Sequence, residues 1–310
     1  MARLSILAAA VLFSTGGAAI KGTQLSGLQV ACFRSAIACV ALYALLPRAR
    51  SGYRLGSWLV GVAYAATLVL FVLANKLTTA ANSIFLQSTA PLYILIAAPI
   101  LLKEPARRQD VGFMLAIGLG LGLFFLEQTP QRSAPNPALG NLLACCAGVT
   151  WAATLMGLRA LASRGVEGLT AVVAGNGLAA AVCLPWALWG ASAVPLAETT
   201  SADWLAVAYL GSIQIGLAYV LLTAGLRRVP ALEASLLILL EPSLSPLWAF
   251  VFQGERPGLW SLLGGLLILG SSSLRGWLSA RAAARGRSAL AASAGLSPRE
   301  AEAADHKPLS

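Results

Sequence analysis

The feature that most constrains this chain is a glutamate–proline pair inside an apolar stretch. Residues 227–255 read RRVPALEASLLILLEPSLSPLWAFVFQGE, and Glu241 lies near the middle, directly before Pro242. A carboxylate is costly in the hydrocarbon of a bilayer, and proline removes a backbone donor and disfavours helix at the residue before it. Such a pair persists where a membrane helix faces other protein or a water-filled cavity. The stretch therefore predicts an interrupted membrane helix beside a polar cavity.

Composition places the whole chain in the membrane class. Of its 310 residues, 58% are hydrophobic and only 11% are charged, whereas soluble domains carry about 25% charged residues. The apolar runs are continuous and show no alternation of period two, which favours helices over a β-barrel. We predict an all-α membrane protein with ten transmembrane helices, at residues 4–20, 28–46, 56–75, 80–102, 110–126, 138–158, 168–190, 204–225, 231–252 and 258–277.

The first of these segments has an alternative interpretation. Arg3 precedes an alanine-rich run, which also fits a signal peptide. A counterpart in the second half of the chain, around residues 138–158, favours a mature membrane helix instead.

The formal charge of +10 is explained by topology rather than by nucleic acid. With the N-terminus inside, lysine and arginine concentrate in the cytoplasmic loops, which is the positive-inside pattern. We therefore predict a cell-membrane protein with both termini cytoplasmic. The basic residues assigned to the inner side are Arg3, Arg48, Arg50, Arg54, Lys103, Arg107, Arg108, Arg159, Arg164, Arg227 and Arg228, against Lys21, Lys76, Arg132 and Arg256 outside.

The chain contains a repeat. Residues 76–104 are a weaker copy of 227–255: when Pro91 is aligned with Pro242, Glu104 falls on Glu255. Five helices in each half is an odd number, so the two halves must enter the membrane from opposite sides and form an inverted repeat. In this architecture one half rocks against the other, and the substrate binds between them beside interrupted helices. The predicted units are a first repeat at 1–126, a connector at 127–137, a second repeat at 138–278 and a disordered cytoplasmic tail at 279–310.

These residues resemble the drug/metabolite transporter superfamily, in particular proteins with two EamA-type five-helix repeats. The resemblance is strongest over residues 218–258, AYVLLTAGLRRVPALEASLLILLEPSLSPLWAFVFQGERPG, and extends to STAPLYILIAAPILLKE at 88–104 and FRSAIA at 33–38. It implies a ten-helix secondary transporter. Members of the superfamily move amino acids, drugs, nucleotide sugars and other metabolites, so the resemblance leaves the substrate open.

Two ionisable residues inside predicted spans are the leading candidates for substrate contact. Arg34 must face a cavity or a partner, and its planar guanidinium suits a carboxylate. The alternatives are that Arg34 reaches the outer headgroups or pairs with an acid. Glu241 is a candidate proton carrier or amine contact. Alternatively, it bonds backbone freed by Pro242, or pairs with Arg34.

Eight further positions receive weaker assignments. Gln87 and Gln214 are candidate cavity residues, although polar groups in spanning helices also commonly hold helices together. Trp151 and Trp248 could stack on a solute or serve only in packing. Pro91 and Pro242 are candidate hinges, with simple kinking as the alternative. Glu104 and Glu255 are interpreted as structural acids at the ends of the two repeats.

The most consistent function is a secondary exporter of a small polar metabolite such as an amino acid. Export or import of a nucleotide sugar, a nucleoside or a cationic drug is the alternative, as is a scaffold or channel subunit. An enzyme is disfavoured because the single histidine, His306, lies in the tail and no phosphate-binding loop is present. We predict a small-molecule substrate, the lipid bilayer and a coupling proton as partners, no cofactor and no metal, and leave a homodimer open.

Overall fold

The structure, a computed structural model, describes residues 2–101, 108–123, 126, 134–229, 234, 237–254 and 258–293. The main elements in these ranges are helices, joined by short turns and single 3₁₀ turns. Their bounds are α1 (Ala2–Ser14), α2 (Gly16–Lys21), α3 (Gly27–Leu45), α4 (Leu55–Leu77), α5 (Ala80–Gln87), α6 (Ala90–Leu101), α7 (Arg108–Leu123), α8 (Pro137–Ser163), α9 (Gly168–Trp189), α10 (Ser201–Tyr209), the π segment (Leu210–Leu217), α11 (Ala218–Leu226), α12 (Leu240–Gln253) and α13 (Leu259–Ser293).

Six helical stretches are long and apolar enough to cross a membrane. A shorter apolar helix covers Leu259–Ser271. Large apolar side chains such as Leu59, Val62 and Trp189 point outward, as expected for surfaces that face lipid. The six stretches are Ala2–Lys21, Gly27–Leu45, Leu55–Leu77, Pro137–Ser163, Gly168–Trp189 and Ser201–Leu226. The fold is therefore all-helical and of membrane type, while the count of ten spans stays a prediction.

Local sequence signals explain where several helices begin and end. Ser26 starts α3 with a capping box, in which its hydroxyl accepts from the Gln29 backbone and the Gln29 side chain accepts from the Ser26 backbone. Thr79 accepts from the backbone of Asn82 at the start of α5. Gly254 ends α12 in the left-handed conformation, at φ 64°, which glycine adopts without steric cost.

Helices are interrupted at the places where the sequence carries small residues or proline. The first span breaks at Thr15, between α1 and α2. The segment predicted at 80–102 breaks at Ser88 and Thr89, so that Pro91 lies in the first turn of α6, a position that tolerates proline. A turn at Leu239 precedes α12, and Glu241 and Pro242 fall in its first turn.

The two halves of the chain pack closely against each other. Helix α4 lies against α8 and α9, α3 lies against α9 and the π segment, α1 lies against α11 and α12, and α7 lies against α13. At the α4–α9 crossing, a Cβ on Gly175 would lie 2.7 Å from the Gly61 carbonyl oxygen. Glycine is required there because the backbones approach so closely. The main hydrophobic core lies at this boundary and includes Tyr64, Trp151 and Tyr219.

The glycine-rich helices predicted at 110–126 and 258–277 face each other. A Cβ on Gly120 in α7 would lie 3.0 Å from the Gly264 carbonyl oxygen of α13. Gly120 therefore lies in an internal seam against Gly264. Gly118 and Gly122 do not, since no atom lies within 4 Å of a Cβ built on either of them. The homodimer stays an untested alternative.

Several predicted features lie outside the described residues or differ from expectation. Glu104, Glu255 and residues 127–133 of the connector are outside the described ranges, as are residues 294–310 of the tail. The last helix does not end at residue 277, because α13 continues to Ser293. Its extension is rich in alanine and arginine, which are strong helix formers.

Candidate functional site

A polar cavity lies where the two halves meet. It encloses about 410 Å³ of empty space between α1, α3, α4, α5, α8, the π segment, α11 and α12. Five of the six substrate-binding candidates proposed from the sequence line this cavity. The described residues that line it are Phe13, Arg34, Thr67, Leu68, Phe71, Gln87, Trp151, Gln214, Ile215, Tyr219 and Glu241.

Among the residues that the structure describes, Arg34 is a buried cation with no acidic partner. Its side chain is 1% exposed, so it does not reach toward the surface. One terminal nitrogen, Nη2, donates to the Leu68 carbonyl oxygen at 2.9 Å, whereas Nε has no hydrogen-bond partner. A buried charge that lacks a counter-ion is strongly unfavourable. The guanidinium is therefore prepared to receive an anion.

Glu241 is the second ionisable group of the cavity. It is 8% exposed and makes no hydrogen bond or ion pair with another described side chain. In particular, it forms no ion pair with Arg34, which lines the same cavity. The pairing of Arg34 with Glu241, one of the sequence alternatives, is thus absent in this structure, and the carboxyl remains free for a ligand.

Gln214 reaches the cavity from the π segment. Such π-helical stretches occur often at functional sites, because the extra residue per turn redirects side chains. The Gln214 Nε2 donates to the Phe13 carbonyl oxygen at 3.4 Å, and its Oε1 has no partner. The side chain is accommodated by Gly16, whose added Cβ would lie 2.6 Å from Nε2. The break between α1 and α2 therefore provides the space for Gln214.

We expect Gly16→Ala to raise the substrate KM by about tenfold, because the methyl group displaces Gln214 from its bond to Phe13. In a Gln214→Ala background the same change should have little further effect, since the clash is gone. Transport by the single and double variants measures this coupling. Gly118→Ala is the matched control, because it adds a methyl group in open space. Equal losses in both backgrounds would contradict the role of Gly16.

Aromatic rings form one wall of the cavity. The ring centroids of Phe13 and Tyr219 are 5.1 Å apart, those of Trp151 and Tyr219 are 6.2 Å apart, and both pairs meet edge to face. Behind them, Tyr64 lies 4.6 Å from Tyr219. Aromatic faces attract cations, so this wall suits an ammonium group or an apolar part of a ligand.

A second cavity adjoins the first. Its empty space is about 340 Å³, which includes space open to solvent, and it shares Gln87, Trp151 and Glu241 with the first cavity. Pro91, predicted as a hinge, lies in its wall, whereas Pro242 is buried beside Glu241. The described residues that line only this second cavity are Ile84, Ser88, Ala90, Pro91, Leu155, Ile238 and Leu239.

Trp248 does not line either cavity. Its Nε1 donates to Ser14 Oγ at 2.9 Å, and its ring stacks on Phe252 with centroids 6.2 Å apart. Ser245, one turn earlier, donates to the Ser14 carbonyl oxygen at 2.8 Å. Trp248 thus joins α12 to the break in the first span, apart from the other five candidates, and its assignment as a substrate contact stays a prediction.

Sequence reasoning missed Phe13, Thr67, Leu68, Phe71, Ile215 and Tyr219. Most are apolar residues in apolar helices, where nothing in the sequence separates a cavity wall from core or lipid contact. Tyr219 carries the one usable signal, since a tyrosine hydroxyl within a span needs a polar partner.

The two ends of the bundle differ in their charges. At one end, Lys21 Nζ donates to the Thr78 carbonyl oxygen and Lys76 Nζ donates to the Thr23 carbonyl oxygen, both at 2.8 Å. At the other end, Arg227 forms an ion pair with Glu167, near the start of α1. Lys76 and Arg227 therefore lie at opposite ends of the bundle. In the described ranges, no group of three or more His, Cys, Asp or Glu residues is placed to hold a metal ion.

An unpaired guanidinium and an unpaired carboxyl inside an apolar helix bundle are typical of membrane transport proteins. The model of the EamA-like transporter family matches residues 1–126 and 138–275, so the chain belongs to this family. It is a multi-pass membrane protein of a transporter family, as the resemblance to drug/metabolite transporters implies.

Curated relatives include several transporters. The threonine/homoserine exporter RhtA of Escherichia coli (strain K12) is 29% identical over 203 residues, which is 63% of this chain and 62% of RhtA. An uncharacterized transporter, YxxF, of Bacillus subtilis is 24% identical over 203 residues, or 64% of this chain and 61% of YxxF. The chain thus matches less than two thirds of the length of either relative.

A solved crystal structure has the same fold. The similarity has a TM-score of 0.62 at 24% sequence identity, and it covers 90% of this chain and 98% of the other.

Proposed function

We propose that this chain is a secondary active exporter of a small polar metabolite, an amino acid, in the inner membrane. The observation that carries the proposal is that one cationic and one acidic side chain line the same cavity. Arg34 and Glu241 line the same space but do not bond each other, and a zwitterion carries the complementary carboxylate and ammonium. The aromatic wall around Tyr219 adds a surface for an ammonium group. RhtA, a threonine/homoserine exporter, supports the same class of substrate.

The proposed mechanism is alternating access of two inverted five-helix repeats. Contacts between the halves support it. Each contact has a counterpart in which every helix is replaced by the corresponding helix of the other half. If α1–α2 corresponds to α8, and α4 to the stretch from α10 to α11, then the α1–α11 contact mirrors the α4–α8 contact. If α3 also corresponds to α9, and α5 to α12, two further contacts match. The contact of α3 with the π segment mirrors that of α9 with α4, and the contact of α1 with α12 mirrors that of α8 with α5. Such pairing is expected for two repeats related by a pseudo-twofold axis.

Transport by purified protein in liposomes tests the function. Vesicles loaded with unlabelled amino acid should take up labelled amino acid from outside in exchange, and uptake should saturate with concentration. Nucleosides and cationic drugs form the comparison panel. Exchange of these compounds without exchange of any amino acid would reject the amino-acid assignment, and unsaturable conductance would favour a channel.

Sidedness is a separate prediction. Glu198 lies in the loop between α9 and α10. The Val194 carbonyl oxygen of this loop accepts from Gln29 near the start of α3, which places the loop at the end of the bundle that holds Lys76. Arg228 follows Arg227 at the other end. With native cysteines replaced by serine, we expect Glu198→Cys to react with an impermeant maleimide from outside the cell. Arg228→Cys should react only after the membrane is permeabilised, as the positive-inside rule requires. Labelling of both positions from one side would contradict the topology.

A further inference from the structure

The second cavity differs in chemistry from the first. Five of the apolar residues in its wall are nearly inaccessible to solvent, between 2% and 8% exposed. Among the described residues that line only this cavity, the polar side chain is that of Ser88. The Ser88 hydroxyl already donates to the Ile84 carbonyl oxygen at 2.6 Å. The five buried apolar residues are Ile84, Ala90, Leu155, Ile238 and Leu239.

Glu241 stands at the junction of the two cavities. The first cavity holds Arg34 and Gln214, and the second holds no further charged group among its described residues. An amino acid whose carboxylate meets Arg34 and whose ammonium meets Glu241 would therefore place its α-carbon near the junction. From that point, the second cavity is the space available to its side chain.

The energetics favour an apolar side chain there. Burial of apolar surface stabilises a complex by about 25 cal/mol per Å². A hydroxyl group in the same space would lose its water partners, and a buried hydroxyl without a hydrogen bond costs about 1–3 kcal/mol. The cavity thus discriminates by the polarity of the side chain.

We propose that the second cavity is the side-chain subsite, and that the transported class is α-amino acids with aliphatic side chains. This inference rests on the proposed function and deepens it. It sets the chain apart from the relatives named for threonine and homoserine, because the described residues that line only the second cavity are apolar except for Ser88.

Exchange in liposomes with the full-length protein tests the inference. We expect labelled leucine and methionine to exchange at least about tenfold better than threonine and homoserine. Leu155→Phe fills the subsite and should lower leucine exchange by about tenfold, while exchange of alanine, whose side chain is short, changes by less than about twofold. Leu158→Phe is the matched control, because Leu158 is equally buried on α8 but lines neither cavity.

The outcomes separate this inference from the proposed function. Preference for threonine or homoserine over leucine would overturn the side-chain subsite and leave amino-acid transport intact. An unchanged ratio of leucine to alanine exchange in Leu155→Phe would also overturn it. If Leu155→Phe does not fold, Leu155→Ala replaces it and should extend exchange to phenylalanine; failure to do so counts against the subsite. Absence of exchange for every amino acid would instead reject the proposed function.

Discussion

Replacing Arg34 with leucine should abolish transport while leaving the protein at least as stable as the wild type. The charge is fully buried, and its described surroundings supply a carbonyl oxygen but no counter-ion. Replacing such a buried ion by an apolar group of similar size removes its desolvation cost, which is on the order of several kcal/mol per ion. If Arg34 receives the substrate carboxylate as we propose, loss of the guanidinium should lower flux by about a hundredfold, because truncating one partner of a buried charge pair costs about 2–5 kcal/mol.

Two measurements on the same preparation separate function from folding. Thermal unfolding in detergent should give an equal or higher melting temperature for Arg34→Leu, and exchange in liposomes should give almost no flux. Arg50→Leu is the control, because Arg50 bonds the carbonyl oxygens of Tyr43 and Ala44 on an exposed surface. If Arg34→Leu loses stability in proportion to flux, then Arg34 is a structural residue and the anion site is disproved.

We propose that Glu241 carries a coupling proton, so replacing it with glutamine should uncouple transport from a pH gradient. The carboxyl lies in the cavity without a described hydrogen-bond partner, so it can exchange a proton whenever the cavity opens. Glutamine has nearly the same shape but cannot carry a proton. We therefore expect exchange of substrate to be weaker but still measurable at high substrate concentration, because the glutamine oxygen can still accept a hydrogen bond from the ammonium, while accumulation driven by a pH gradient is lost.

The assay compares two modes in the same vesicles. Glu241→Gln should retain counterflow at equal pH on both sides but should not respond to an imposed pH gradient. Glu198→Gln, which changes an exposed loop carboxylate, should behave as the wild type in both modes. Retention of gradient-driven accumulation in Glu241→Gln would show that another group carries the proton.

Much of the site was predictable because hydrocarbon offers no hydrogen bonds. A polar residue within an apolar run must face protein or a cavity, and this local rule singled out Arg34, Gln87, Gln214 and Glu241. A second local rule predicted the interruptions before Pro91 and Pro242, because proline restricts the backbone of the residue before it. These inferences need only the identity of each residue and its distance from the ends of its span.

The same rule does not predict which partner a polar or aromatic residue finds. Trp248 and Trp151 are equivalent in sequence terms, yet Trp248 donates to Ser14 and Trp151 lines the cavity. Phe13 and Tyr219 gave no sequence signal strong enough to place them at the site. Their positions depend on the rotation of each helix about its axis, which is set by packing against distant helices.

The sequence by itself determined the class of the protein and the residues that have to be sheltered from lipid, because solvation by hydrocarbon acts on each residue independently of the fold. Only the tertiary structure decided that Arg34 and Glu241 face one cavity without pairing, and that an apolar compartment adjoins them. That arrangement arises from the packing of α3, α8, the π segment and α12, and close packing between segments far apart in the chain is a property of the whole fold.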